Sequence, residues 1–320
     1  MRAIQITATG GPEVLVPHDL PQPVPSAGQA LVRIEASGVN FIDVYLREGR
    51  YPSPLPFIPG QEAAGTVVAV GEGVTLVSVG DRVAWCNVPG TYAEFAAVPA
   101  DRLVALPEGV SVEQGAAAML QGITAHYLAY ATYPIQKGDE VLIHAGAGGV
   151  GLLLTQMAHS LGARVFTTVS TEEKAALSRE AGADVVINYT THDFAVEIKK
   201  QSEGLHVVYD SVGKTTFEQS LSVLRRRGMM ALYGASSGAV PPFDLIRLST
   251  LGSLFVTRPT AKDYVVTRAE LLQRAGDVLR SVADGTLKLR IAHTYPLAEA
   301  AQAHRDLEAR KTTGKVLLTL

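Results

Sequence analysis

The chain has 320 residues, 47% of them hydrophobic and 18% charged, with a formal net charge of −3. This length admits two domains, the balance is that of a soluble globular protein, and the charge gives no reason to expect nucleic acid or an anionic membrane as partner. No apolar run approaches the roughly 20 residues that span a bilayer, and a single cysteine, Cys86, rules out an intrachain disulfide.

One cysteine suits a reducing compartment. Met1–Ile6 alternates like a strand and has no apolar signal core, so the expected location is the cytoplasm. The first third continues with short strand-like runs at 30–36, 65–70 and 81–85, broken by turns. Pro52, Pro54, Pro56 and Pro59 mark a loop that is neither regular helix nor central strand. This pattern predicts a compact, mostly β domain.

Near residue 111 the texture changes. Ser111 and Gln114 are spaced as a capping box, which predicts a helix running through 124–128. Strands at 140–145, 164–169, 185–188, 207–211 and 228–233 then alternate with helices at 151–161, 171–181, 193–201 and 217–224. Such alternation implies βαβ units and a parallel sheet. A long amphipathic helix at 268–283 stops at Gly285, a last helix is expected at 297–310, and 314–320 reads as a strand.

The most informative segment is Gly146-Ala147-Gly148-Gly149-Val150-Gly151, which lies between the strand at 140–145 and the helix beginning at 151. A strand, a G-x-G-x-x-G turn and a helix N-terminus in that order form a pyrophosphate cradle. The first glycine is expected to make the tight turn, the second to admit the phosphates and the third to bring helix and strand close.

The end of the second strand separates the two nicotinamide cofactors. There an acid reads the ribose hydroxyls of NAD, and a basic neighbourhood accepts the extra phosphate of NADP. Here the strand runs into Ser170-Thr171-Glu172-Glu173-Lys174. Ser170 and Thr171 offer hydroxyls, and Lys174 stands one helical turn beyond Ser170, so NADPH is the expected cofactor. A surface lysine with Ser170 as a helix N-cap is the competing reading, and the two glutamates weaken the basic character.

A mostly β first domain, an inserted nucleotide domain and a C-terminal return together resemble the medium-chain dehydrogenase/reductase superfamily. The strings at 38–45, 49–52, 59–65, 207–213 and 256–259 are similar to those of its ζ-crystallin-like, NADPH:quinone reductase branch, over essentially the whole chain. The resemblance implies an α/β protein: a GroES-like catalytic domain at 1–122, a Rossmann doubly wound domain at 123–258, and a return at 259–320, with a cleft between the domains. It implies that Asn40, Phe41 and Tyr45 line the nicotinamide end, and that Thr124 and Tyr127 sit on the helix entering the nucleotide domain. Gly146, Gly148, Gly149 and Val150 would form the pyrophosphate turn. Ser170, Thr171, Lys174, Tyr189 and Arg310 would take the adenosine phosphate. The ribose–nicotinamide wall would comprise Ser211, Val212, Gly234, Ser236, Phe255 and Arg258. The branch also implies a homodimer joined through an edge strand near 254–257.

Zinc members of the superfamily need three protein ligands on an open metal site. Where they carry a cysteine and a histidine, this chain has Asn40 and, before Glu62, Gln61; its eight histidines show no paired ligand spacing. No metal is therefore expected, and an acceptor that takes hydride without strong electrophilic help, a quinone or another activated electrophile, is the expected substrate. Asn40, Asp43, Tyr45 and Tyr51 are the candidate catalytic residues. None is singled out as a proton donor, and Tyr51 can equally line the substrate entrance. Reduction of activated C=C bonds in enones or acyl thioesters remains a second reading, and a non-enzymatic crystallin-like or RNA-binding role a third.

Overall fold

In the computed structural model, which describes all 320 residues, the chain divides into two units: Met1–Ile123 with Tyr264–Leu320, and Thr124–Asp263. The first unit begins with β1 (Arg2–Gln5), β2 (Val16–Asp19), β3 (Gln29–Val39), α1 (Phe41–Arg47), β4 (Glu62–Val70), β5 (Arg82–Cys86), β6 (Phe95–Pro99) and β7 (Val104–Ala105). Helix α2 (Val112–Tyr127) carries the chain across the division. It starts as its sequence dictates: Gln114 accepts from the Ser111 amide at 2.9 Å, and the Ser111 hydroxyl accepts from the Gln114 amide at 3.2 Å.

The second unit holds β8 (Glu140–Ile143), α3 (Gly149–Ser160), β9 (Arg164–Val169), α4 (Glu172–Glu180), β10 (Val185–Asn188), α5 (Phe194–Lys199), β11 (Leu205–Asp210), α6 (Phe217–Leu221), β12 (Leu224–Leu232), α7 (Ile246–Thr250) and β13 (Phe255–Thr257). The chain then returns to the first unit with α8 (Arg268–Ala283), β14 (Ile291–Pro296), α9 (Ala300–Glu308) and β15 (Lys315–Thr319).

In the first unit the strands make a seven-stranded sheet ordered β14-β15-β3-β4-β5-β7, with β6 also pairing β3. Alternate residues of these strands point inward and bury Val32, Ile34, Val67, Val83, Trp85 and Val98 together. The second unit is a six-stranded sheet ordered β10-β9-β8-β11-β12-β13 with every pairing parallel. Counted along the unit this is 3-2-1-4-5-6, the doubly wound order. The strand order reverses between β8 and β11, and ligands of such sheets bind outside the carboxyl ends at that point.

Three elements differ from the sequence expectation. Strand β12 begins at Leu224 rather than Gly228, because Arg225–Arg227 run along the strand start with Arg226 and Arg227 turned to solvent; Arg227 adopts φ 57. Accordingly α6 stops at Leu221. The last helix opens with a tighter turn at Leu297–Glu299, a common form for a first turn, and ends before Arg310, whose φ is 59.

Candidate active site

At the carboxyl end of β8, Ala145, not a glycine, makes the left-handed turn, with φ 54. Gly146 is needed for a different reason than expected. A Cβ there would lie 2.6 Å from Thr167 and 2.7 Å from Ser178, and one at Gly151 would run into the Ala145 carbonyl. Gly148 is the N-cap of α3, so the free amides of the first helical turn follow directly. Backbone without side chains at a helix N-terminus suits the close approach of a pyrophosphate.

The end of β9 holds Ser170, Thr171 and Lys174, three of the residues expected to take the adenosine phosphate. Lys174 Nζ lies 3.4 Å from Ser170 Oγ. The N-cap of α4 is Thr171, whose hydroxyl accepts from the Lys174 amide at 3.2 Å; it is not Ser170. Glu172 is drawn into an ion pair with Arg179 at 2.6 Å, which reduces its opposition to a nearby anion. The Tyr189 amide donates to the Val169 carbonyl at 3.0 Å, which holds this exposed residue's backbone beside the end of β9. Arg310 lies in the other unit.

Asp210, which the sequence did not single out, builds the loop after β11. Its Oδ1 accepts from Val212 N at 2.7 Å and Gly213 N at 3.0 Å, and its Oδ2 accepts from the Thr216 hydroxyl at 2.7 Å. This loop is zipped to the turn after β12, where Ser236 N donates to the Ser211 carbonyl at 3.1 Å and Ser237 N to that of Val212 at 2.9 Å. Arg258 braces the same turn by donating to the carbonyls of Leu232 at 2.7 Å and Gly234 at 3.1 Å. Ser211, Val212, Gly234 and Ser236 are thus brought together, with Arg258 as their brace. Phe255 is not: it pairs with Met229 on the outer strand, two residues before that strand's carboxyl end, and is 56% exposed. Thr124 and Tyr127 lie buried near the end of α2.

The expected catalytic residues of the first unit start at the N-terminus of α1. The Asn40 amide group is fully engaged. Its Nδ2 donates to Glu62 Oε1 at 2.7 Å and more weakly to Gly38 O at 3.4 Å, while its Oδ1 accepts from Gln121 at 3.1 Å and from Lys315 Nζ at 3.2 Å. Lys315 and Glu62 form a buried ion pair, and Glu62 Oε2 also accepts from the Leu120 amide at 2.6 Å. Asn40 thus stands in a network of one further amide, one carboxylate and one ammonium.

Asp43 reaches back to accept from the Asn40 backbone N–H at 2.9 Å, closing the first turn of α1. It is fully buried, and burial pushes its carboxyl up to about 7. Tyr45 is nearly buried, stacked edge-on to Tyr51 with ring centres 5.8 Å apart, and its ring lies 6.2 Å from Phe41 and 5.3 Å from the Arg50 guanidinium. Tyr51 is 40% exposed, the most open of the four candidates. Sequence reasoning missed Glu62, Gln121 and Lys315 as partners of Asn40, and only a long-range contact signal would have linked positions so far apart.

Comparison with known proteins agrees with this architecture. Residues 26–108 match the alcohol dehydrogenase GroES-like domain, and residues 149–272 match the zinc-binding dehydrogenase family. A quinone oxidoreductase of Pseudomonas aeruginosa is 44% identical over 99% of both chains, and a 2-haloacrylate reductase of a Burkholderia species is 42% identical over 99% of this chain and 98% of its own. The crystal structure of Escherichia coli quinone oxidoreductase complexed with NADPH superposes with a TM-score of 0.98 at 42% identity, covering all of both chains.

Proposed function

Because the chain belongs to the quinone oxidoreductases of the medium-chain dehydrogenase/reductase superfamily, we propose that it reduces quinones with NADPH. The whole-chain likeness supports the quinone. The observation that carries the cofactor assignment is Lys174 beside Ser170, where an NAD-specific site would place an acid.

The residues present fit NADPH: Gly146 and Gly151 leave no room for a side chain beside the turn, and the end of β9 offers two hydroxyls and an ammonium. When bound, NADPH supplies the hydride. Gly146, Gly148, Gly149 and Val150 would hold its pyrophosphate. Ser170, Thr171, Lys174 and Tyr189, with Arg310, would hold the 2′-phosphate end. Thr124, Tyr127, Ser211, Val212, Gly234 and Ser236 would line the ribose and nicotinamide, with Arg258 keeping their turn in place. Asn40, Phe41 and Tyr45 would contact the nicotinamide.

Among the candidate catalytic residues, Asn40 has no hydrogen-bonding capacity left for a substrate, since both its donors and both acceptor positions are used. It and Asp43 shape the site, Tyr45 packs against the ring, and Tyr51 lines the acceptor's entrance. A reduced quinone carries an oxyanion stabilised by its own aromatic ring, so water can protonate it and no dedicated acid is required. Positioning of donor and acceptor then supplies most of the rate. Reduction of an activated C=C bond is the second reading, favoured by the 2-haloacrylate reductase relative.

Stopped-flow measurement of NADPH oxidation against quinones and enones, with and without chelator, tests both the reaction and its independence of metal. Quinones should turn over fastest, with the rate kept in chelator. Failure of every quinone, or a chelator loss restored by zinc, contradicts the proposal. The protein would work in the cytoplasm as a homodimer joined at β13, an edge strand whose Phe255 and Val256 are exposed. Sedimentation as a monomer at micromolar concentration would argue against that assembly.

A further inference from the structure

We propose that Tyr92 and His304 are positioning residues for this reaction: with Arg47 they form a one-way donor chain that ends on Asp43 and holds the N-terminus of α1 in a single orientation. The proposal rests on the assignment of Asn40 and Tyr45 to the nicotinamide end. Its own basis is a line of four side chains, Arg47, His304, Tyr92 and Asp43, all of them fully buried. They come from α1, α9 and the segment before β6, with 257 residues between the bonded pair Arg47 and His304.

The direction of the chain follows from valence. A guanidinium can only donate. Arg47 donates Nε–H to Gly10 O at 3.0 Å, both nitrogens of its fork to Glu308 at 2.8 and 2.9 Å, and more weakly to Glu48 at 3.4 Å. Its remaining donor meets His304 Nδ1 at 3.2 Å, so that nitrogen must accept. The imidazole therefore carries its hydrogen on Nε2 and donates to Tyr92 Oη at 3.0 Å. The phenol is left to donate to Asp43 Oδ2 at 3.2 Å, the same oxygen that accepts from the Asn40 amide.

The charges agree with this order. Burial and the adjacent Arg47 push the His304 imidazole down to about 3, so it is neutral in the working range. Burial beside Asp43 raises the Tyr92 phenol, which keeps its proton to donate. Asp43 faces Asn40 at the start of its own helix, Tyr92 from the loop before β6, Lys315 from β15 and Glu62 from β4. Its Oδ1 has no partner, which makes that oxygen the place where a proton would land.

Arginine does not lose its proton in proteins. The chain is therefore not a wire that carries protons from Glu308 to the site. It acts by orientation: each donor fixes the next acceptor, and the last one keeps Asp43 turned toward the Asn40 amide. Tyr92 is itself pinned on both sides of its backbone, through its amide to Pro59 O at 3.0 Å and its carbonyl to Ile4 N at 2.8 Å, so the phenol is aimed by the sheet.

The first test uses the wild-type chain with NADPH bound and histidine labelled with nitrogen-15. Imidazole NMR should show His304 as the neutral Nε2–H tautomer from pH 8 down to pH 5. An Nδ1–H tautomer, or protonation near pH 6, overturns the proposal whatever the substrate is, so its failure is distinct from failure of the quinone assignment. The second test compares pH profiles of quinone turnover. Wild type should lose activity on the acid side with a midpoint near 7. Tyr92→Phe removes one donor to the charged carboxylate, which should move that midpoint upward by about one pH unit or more. Turnover at pH 7 then falls about fivefold while turnover at pH 9 and NADPH affinity stay within about twofold. A variant whose midpoint does not move, with activity lowered equally at every pH, overturns it.

Discussion

The end of β9 in the second unit and the network around α1 in the first are both polar, yet they are built in opposite ways. At the end of β9 the polar groups are at least partly exposed and lie within about one helical turn of each other in sequence: Ser170, Thr171 and Lys174 share one loop and the start of one helix. Around α1 the polar groups are buried and gathered from remote parts of the chain, Asn40 with Glu62 and Lys315, Asp43 with Tyr92 and His304. Groups left in water can be turned toward a ligand at little cost to the fold. Groups taken out of water must be matched by one another, because an unpaired one is expensive. The first arrangement suits recognition and the second suits a fixed frame.

The comparison breaks most visibly at Lys315. Lys315→Met leaves the Glu62 carboxylate buried without its countercharge, which should destabilise the protein by about 3–5 kcal/mol in urea unfolding. Adding Glu62→Gln should recover much of the loss. If Lys315→Met unfolds with the wild-type midpoint, the network is not the frame described.

A second effect is linked to pH. His304 sits near 3 in the folded chain against an ordinary 6.5, so the unfolded chain binds its proton first and stability falls as pH drops from about 6.5. Asp43 sits near 7 against an ordinary 3.8, so the folded chain binds its proton first and stability rises as pH drops from 7 toward 4. Between about pH 4 and 6.5 the two oppose each other. Asp43→Asn keeps the acceptor and removes the second effect. Relative to wild type, the variant should therefore lose about 1.4 kcal/mol per pH unit on acidification through that window. Parallel stability curves for the two proteins would contradict this linkage.

The smallest effect is expected at Tyr51. Tyr51→Phe keeps the ring that meets Tyr45 and removes only the hydroxyl, so quinone turnover should fall less than about tenfold. A loss of about 100-fold with unchanged NADPH affinity would make the phenol a proton donor.

The same contrast governs what the amino-acid sequence reveals by itself. The doubly wound unit is legible because its signals are local: apolar strands, helix periods, and the glycine turn between them. Helix 268–283 stands where its pattern places it, with Thr267 and Glu270 forming its capping box. The strand start at Leu224 is hidden because three consecutive arginines resemble a turn, and only the pairing of Leu224 with Leu205 on β11, across a break in register, places them in the strand. Thr171 displaces Ser170 as N-cap, a choice between adjacent hydroxyls that propensity cannot make. The Asp210 loop carries a faint local signal, an aspartate followed within three residues by Gly213. The frame around Asn40 carries none, since Lys315 is 275 residues away and a lone lysine is normally exposed.

The most direct measurement is a pair of fluorescence titrations at fixed ionic strength, NADPH and NADH, on wild type, Lys174→Ala and Ser170→Asp. If Lys174 and Ser170 read the 2′-phosphate, wild type binds NADPH at least about tenfold more tightly than NADH, and Lys174→Ala weakens NADPH by about tenfold while leaving NADH nearly unchanged. Ser170→Asp should weaken NADPH further, because it sets a like charge against the phosphate and offers the NADH ribose an acceptor. Equal affinities in wild type, or equal weakening of both cofactors in the variants, would contradict the NADPH assignment on which the proposed reaction stands.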